Sequence, residues 1–297
     1  MSNQITDSFV DQFSTGITML SQQMSSSLRG SVSIMAMTAK KMSFDQVGAI
    51  RLQEKMSRHA DIDQTEVPHK RRWVSARPYW ARDFIDESDT LELLNNPTNA
   101  YTQAFAAAAA RRFDRVTING LLGENLTGED GDEKVALPAA QIIADGGTGF
   151  TFAKLKKGVR MLRSKNALNL PGDTIHIALT AKQEEEYIDQ NEVKSRDFTM
   201  MKVIDDGGVT RHYRVNFHYI EDEDESPEGV IIPKTGNVRS LPMWVRSGAV
   251  VGMRKDAYGR VAWLDQGEKW QVSGGINMGA SRREEVKVVQ IDVQEAA

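Results

Sequence analysis

Cysteine is absent from this chain of 297 residues, which removes disulfides, thiolate metal centres and cysteine nucleophiles and is compatible with folding in a reducing compartment. No window approaches the roughly 20 apolar residues that a membrane span requires. The N-terminus lacks the basic-then-apolar run of a signal peptide, so a soluble chain that is not exported by that route is expected. An excess of basic charge is missing too: 37 Lys and Arg stand against 41 Asp and Glu, for a net charge of -4. Gripping nucleic acid depends on neutralising phosphates with a basic surface, so that is not read as the main task.

The motifs of the common catalytic sites are also missing. There are five histidines, His59, His69, His176, His212 and His218, with no HExxH and no pair one helical turn apart. His212 and His218, six apart in a predicted β segment, could face one side, but they are read as surface or cross-strand residues. The acidic runs 129–133 and 221–225 (EDEDE) lack calcium-loop spacing and are read as solvated loops. Ser273 to Ala280 (SGGINMGA) has neither the GKS or GKT ending of a phosphate loop nor GxGxxG spacing, and is read as a turn or bulge. A nucleophile elbow is absent as well. No catalytic residue, metal or cofactor is assigned; a hydrolase of scattered carboxylates is the one enzyme hypothesis left, and it is not adopted.

What the chain has is a composition in the soluble globular range, 40% hydrophobic and 26% charged, long enough for one or two compact domains. Its most informative stretch is NNPTNAYTQAFAAAAARRFDRVTINGLLG, Asn95 to Gly123. Asn96 suits an N-cap, Pro97 the first helical position, and the glycines Gly120 and Gly123 the end, so a helix over 97–122, about 39 Å long, is predicted. Its small central residues, Ala106 to Ala110, let a sheet or loop approach closely, and Arg111, Arg112, Asp114 and Arg115 follow as a charged cluster.

Upstream, Ile5, Phe9, Phe13, Ile17, Leu20, Met24 and Leu28 form one helical stripe, with Asp7, Asp11, Gln12, Gln22 and Ser25 opposite. Periodicity alone reads this as an amphipathic helix on its own domain; membrane binding is disfavoured because the polar face lacks Lys and Arg. A half-exposed strand is predicted over Ser31 to Phe44, then a tip dense in both charges between Val47 and Arg72. A return strand places Val74, Ala76, Trp80 and Phe84 on one face, and Pro78 within it signals an edge strand or bulge. A ribbon with so little core is marginal alone and needs another surface.

Further on, a helix from Phe152 to Leu162 buries Leu155, Val159 and Leu162 and exposes Lys154, Lys156, Lys157 and Arg160. Thr174 to Leu179 is a short buried strand, and Thr180 with Gln183 forms a capping box. From Val209 onward the chain looks mostly β. The alternation in Glu285 to Val293 slips at Val288 and Val289, where a bulge is expected. Aromatics such as Trp80, Trp263 and Trp270 are read as core or subunit interface rather than a stacking platform for single strands. The fold class is α+β.

The segment His59 to Pro97, with its basic return strand HKRRWVSARPYWARDFID and short acidic helix, followed by the long Ala-rich helix, resembles the tailed-phage major capsid proteins of Hong Kong 97-type fold. The resemblance implies an N-terminal arm over 1–40, an extension loop over 41–85, a peripheral domain over 86–140 with its spine helix, an axial domain over 141–273, and a return to the peripheral domain over 274–297 beside that helix. It makes the arm and loop elements that lie on neighbouring subunits. The candidate inter-subunit residues are Arg58, Asp61, Asp63, Glu66, Lys70, Arg71 and Arg72. It further implies hexamers and pentamers of an icosahedral shell around double-stranded DNA, assembled in the bacterial cytoplasm and residing in the virion. A separate scaffolding protein, a portal and in some cases a decoration protein are the implied partners. A mildly acidic wall suits a container into which DNA is pumped. An encapsulin-like compartment shell and a soluble α+β enzyme or binding domain are the alternatives.

Overall fold

The computed structural model describes residues 23–52, 54, 65–86, 98–190, 209–220, 229–267 and 269–295. In chain order the strands are β1 (Ser33–Ala36), β2 (Lys41–Val47), β3 (His69–Ser75), β4 (Arg77–Asp86), β5 (Asn125–Thr127), β6 (Glu133–Val135), β7 (Ile142–Ile143), β8 (Ile175–Leu179), β9 (Arg211–His212), β10 (Val215–Tyr219), β11 (Lys234–Thr235), β12 (Val238–Val245), β13 (Ala249–Leu264), β14 (Lys269–Arg282) and β15 (Val288–Gln294). The α-helices are α1 (Thr98–Leu122), α2 (Phe152–Ser164) and α3 (Ala181–Ile188). Three sheets result: β1-β13-β14-β4, β7-β15-β12-β8-β10-β9 with β11 on β12, and β2-β3-β5-β6.

The predicted long helix is α1, and it lies along β13 and β14. Close approach comes from missing side chains on both partners. A Cβ on Gly120 would stand 2.7 Å from the Ala280 backbone carbon, and one on Gly274 would stand 2.8 Å from the Phe105 Cβ. SGGINMGA is therefore not a turn: it is the middle of β14, where Gly274 admits the helix and Gly279, pointing the other way, admits the Ser75 carbonyl. The C-terminus of α1 is closed by Arg282, fully buried, whose Nη1 donates to the Leu121 carbonyl at 2.8 Å. Gly120→Ala is expected to destabilise the subunit in thermal melts. The gain in helix propensity is only about 1 kcal/mol, whereas the methyl would press on backbone that cannot give way.

The second sheet carries most of the core. β8 is buried along its whole length between β12 and β10, His176 included among its otherwise apolar residues. The capping box at Thr180 is present, with Gln183 Oε1 accepting from the Thr180 N–H at 3.0 Å. Helix α2 buries Leu155, Val159 and Leu162 as predicted, but Lys154 is buried rather than exposed: its Nζ donates to the carbonyls of Thr148, Gly149 and Asp292. Apolar periodicity cannot reveal a lysine whose ammonium finds three carbonyls.

Several other expectations change. Ser31 to Phe44 holds two strands, β1 and β2, in different sheets, because the chain turns away between Met37 and Lys40. The face Val74, Ala76, Trp80, Phe84 is split by a change of sheet at Ala76, so Val74 and Ala76 are buried while Trp80 and Phe84 are exposed. Pro78 does lie on an edge strand, β4. No bulge interrupts β15, which pairs regularly with β12; the phase slip marks the end of a 3-10 turn at Glu285–Lys287. The C-terminal strand expected beside the long helix instead joins β12 and β7, while β14 runs through the expected boundary at 273. His212 and His218 occupy separate strands, β9 and β10, joined by Tyr213 and Arg214, both with positive φ. The short acidic helix and the arm stripe up to residue 22 lie outside the described residues, and residues 23–28 are not helical.

Candidate assembly interface

The charged ribbon is the antiparallel pair β2 and β3, continued by the β5–β6 hairpin. Its register places Arg71 opposite Asp45, and the Arg71 guanidinium reaches that carboxylate at 2.6 and 3.3 Å. This contact holds the exposed Asp45 carboxyl below its ordinary range. Lys70 and Glu66 are exposed with no ion pair among the described residues. Arg72 is different and corrects the sequence reading: only 3% exposed, it is ion-paired within the chain to Glu285. Alternation along β3 turns Arg71 outward and Arg72 inward, so adjacent arginines have opposite fates. Arg58, Asp61 and Asp63 lie outside the described residues.

A second feature was invisible in the sequence. Asp114, buried on α1, accepts from Gln23 Nε2, Ser26 Oγ and the backbone N–H groups of Ser27 and Leu28. Burial raises its pKa, against the lowering effect of these donors. Arg111 Nη1 donates to the Gln23 carbonyl, Trp244 Nε1 to the Ser31 carbonyl, and Arg29 pairs with Asp256. The charged cluster of the helix is thus a clasp for residues 23–31, which fixes the place from which the N-terminal segment departs.

Against that clasp lie His176 and His218, with Nδ1 of the first 2.8 Å from Nε2 of the second and both rings stacked near Trp244. Burial pushes His176 down to about 3, with His218 and Arg246 adding to the effect, and burial also lowers His218. Neutral imidazole is favoured in the fold, so the stability from these groups is complete above about pH 6.5 and is lost as pH falls below it. The slope is at most about 1.4 kcal/mol per pH unit for each histidine. Melts of the unassembled subunit between pH 7 and 5 are expected to show this fall, and His176→Gln with His218→Gln to flatten it. Among the described residues no group of three or more His, Asp or Glu could hold a metal ion.

The third feature is the face of the first sheet turned away from α1. Tyr79 meets Arg112 of the helix, so Trp80, Arg82 and Phe84 point to the opposite side. Trp80 is 69% exposed and Phe84 41%, and the Arg82 guanidinium lies over both rings, 5.9 and 5.0 Å from their centroids. Arg260, in one row with Ser273 and Arg82, extends the patch across the sheet.

A family model described as phage capsid protein matches residues 5–295. The chain belongs to that family. A search of curated protein sequences finds no match. Among solved structures the capsid protein is similar to the capsid of cyanophage P-SCSP1u, with TM-score 0.71 and 13% identity over 98% of this chain and 94% of that one. It is also similar to the capsid of Ralstonia phage GP4, with TM-score 0.68 and 11% identity over 100% and 98% of the two chains. The capsid of cyanophage Pam1 gives TM-score 0.70 and 10% identity over 98% of each chain. At such identities these structures speak for the fold, which is the Hong Kong 97-type. The protein is a structural major capsid protein, many copies of which make the capsid of the virion.

Proposed function

We propose that this capsid protein assembles as hexamers and pentamers into the icosahedral shell of a tailed bacteriophage, enclosing double-stranded DNA without gripping it tightly. The observation that carries this reading, beside the family, is how much surface the single subunit leaves unpartnered. The ribbon of β2 and β3 runs out to Val47, Ile50 and Leu52, which are 65%, 56% and 92% exposed, and its core is a small cluster of Met37, Val74, Ala76 and Val250. Such a projection is marginal without a neighbour. In this reading residues 41–85 are the extension loop, 1–40 the arm, and Glu66, Lys70 and the outer side of Arg71 contact the next subunit, together with Arg58, Asp61 and Asp63. Portal, scaffolding and decoration proteins are its proposed partners, and the host cytoplasm its place of assembly. Catalysis has no part in it.

Electron microscopy and sedimentation of the purified protein, alone and with a scaffolding protein, test the proposal. Closed shells, tubes or capsomers are the expected result. A compact monomer under every condition would overturn it.

A further inference from the structure

We propose that the acidic tip of the β5–β6 hairpin of one copy docks on the cationic face of helix α2 of the next copy in the same ring. This rests on the shell-forming reading and names two surfaces that meet in it. Helix α2 has 13 residues and no carboxylate. Lys156, Arg160 and Arg163 stand at steps of four and three, so they form one exposed stripe about 10 Å long, with Lys157 beside it. Like charges at this spacing repel, and the helix has no glutamate of its own to offset them. None of the four is ion-paired among the described residues. Asp145 lines a hollow with Lys157, and set against it the other three cations remain. On a chain of net charge -4 such a face selects an anionic partner.

The same chain supplies that partner. Glu129, Asp130, Asp132 and Glu133 crowd the exposed tip of the β5–β6 hairpin. The tip is held in one shape: Gly128 and Gly131 have positive φ, Trp73 Nε1 donates to the Gly128 carbonyl at 2.9 Å, and a Cβ on Gly131 would stand 2.8 Å from the Trp73 ring. Charge presented from a pre-shaped turn loses less entropy on docking. Cations do stand near the tip. Arg71 is committed to Asp45, Arg72 to Glu285 and Lys134 to Glu124, which leaves Lys70 against four carboxylates. An open cleft of about 820 Å³ beside the tip, lined by Glu129, Glu133 and Lys70 among others, gives the long side chains of α2 room to enter.

Within one chain these surfaces stay apart. Helix α2 rests on β15 of the second sheet, the hairpin continues the ribbon, and no ion pair joins them among the described residues. Two different patches that complement each other make a head-to-tail contact, the kind that closes rings. The hairpin also adjoins Lys70 and Arg71, whose Nη1 donates to the Glu129 carbonyl, so the contact is continuous with the ribbon surface proposed above. A DNA backbone would account for the α2 stripe alone and leave the acidic tip unmatched.

Charge reversal in separate full-length chains tests this. Glu129→Lys with Glu133→Lys should leave the melt of the unassembled subunit unchanged and lower shell yield about ten-fold, and Arg160→Glu with Arg163→Glu should do the same. All four substitutions in one chain should restore closed shells. An equal mixture of the two variant chains separates neighbours from self: every contact between unlike chains is then attractive, so alternating hexamers form, whereas a ring of five cannot alternate. Tubes or sheets of hexamers without closed shells are therefore expected by electron microscopy. Shells closing from the mixture as readily as from the chain with all four changes, or no assembly of the mixture at all, overturn the contact between ring neighbours. Either paired variant assembling normally, or unfolding as a subunit, also overturns the proposal. Normal assembly of the α2 variant with less DNA retained would assign that face to nucleic acid instead. Failure of the parent chain to form any shell or capsomer would refute the shell-forming reading beneath it.

Discussion

Replacing Glu295 with alanine is expected to destabilise the subunit by about 3–5 kcal/mol, the usual effect of removing one member of a buried ion pair. Glu295 and Arg239 are 3% and 2% exposed. The carboxylate is ion-paired to the Arg239 guanidinium and to Lys234 Nζ at 2.8 Å, and accepts from Gln183 Nε2 at 2.7 Å. It ties the end of β15 to β12 and α3, and its loss leaves the Arg239 charge buried without this counterion. Burial by itself would raise the pKa of Glu295; hydrogen bonds from Arg239 and Lys234 outweigh it and hold the group at about 2. A depressed carboxyl stabilises above its unfolded value, near 4.5, and that contribution is lost as pH falls toward 2. Urea unfolding at pH 7 should show the full deficit, and Glu295→Gln should flatten the acid limb below pH 4.5. Arg239→Met combined with Glu295→Leu should recover part of the loss, because a packed apolar pair needs no desolvation of charge, while the buried Gln183 Nε2 still loses its acceptor. A deficit below about 1 kcal/mol for the alanine variant would show that water reaches Arg239.

Arg72→Glu and Arg71→Glu should part company just as sharply. Arg72 is buried against Glu285, so a glutamate there sets two carboxylates together in a closed site, and a loss of about 3–5 kcal/mol or outright failure to fold is expected. Arg71 stands on the open side of the ribbon, where its variant should melt like the parent and reveal itself in assembly alone. Circular dichroism of the unassembled protein measures the first effect and sedimentation the second. Equal behaviour of the two variants would contradict the inward and outward alternation of β3.

The sequence signalled the long helix because its signals are local: residue spacing and propensity over Thr98–Leu122, and Gly123 just beyond, whose N–H makes the last helical bond, to the Asn119 carbonyl. Helix α2, strand β8 and the capping box at Thr180 were legible for the same reason. The candidate interface was legible only in part. Charge density pointed to the ribbon, but nothing in HKRRW says which arginine turns inward, since that depends on Glu285 arriving 213 positions later. Asp114 looked like one more surface charge on a helix until residues 23–28 were seen to donate to it from 86 to 91 positions away.

By itself, then, the sequence determined the long helix, α2, β8 and the capping box at Thr180, that thiolate chemistry is excluded, and that the ribbon has too few apolar residues to stand alone. These follow from propensity, spacing and composition, which are properties of neighbours along the chain. Tertiary structure decided which sheet each strand enters, why SGGINMGA is strand rather than turn, which charges are buried, and that Trp80, Arg82 and Phe84 face outward together on an open edge. Those outcomes depend on close approach and desolvation between residues far apart in sequence. A glycine reads as a turn until a helix or a carbonyl is found where its Cβ would be.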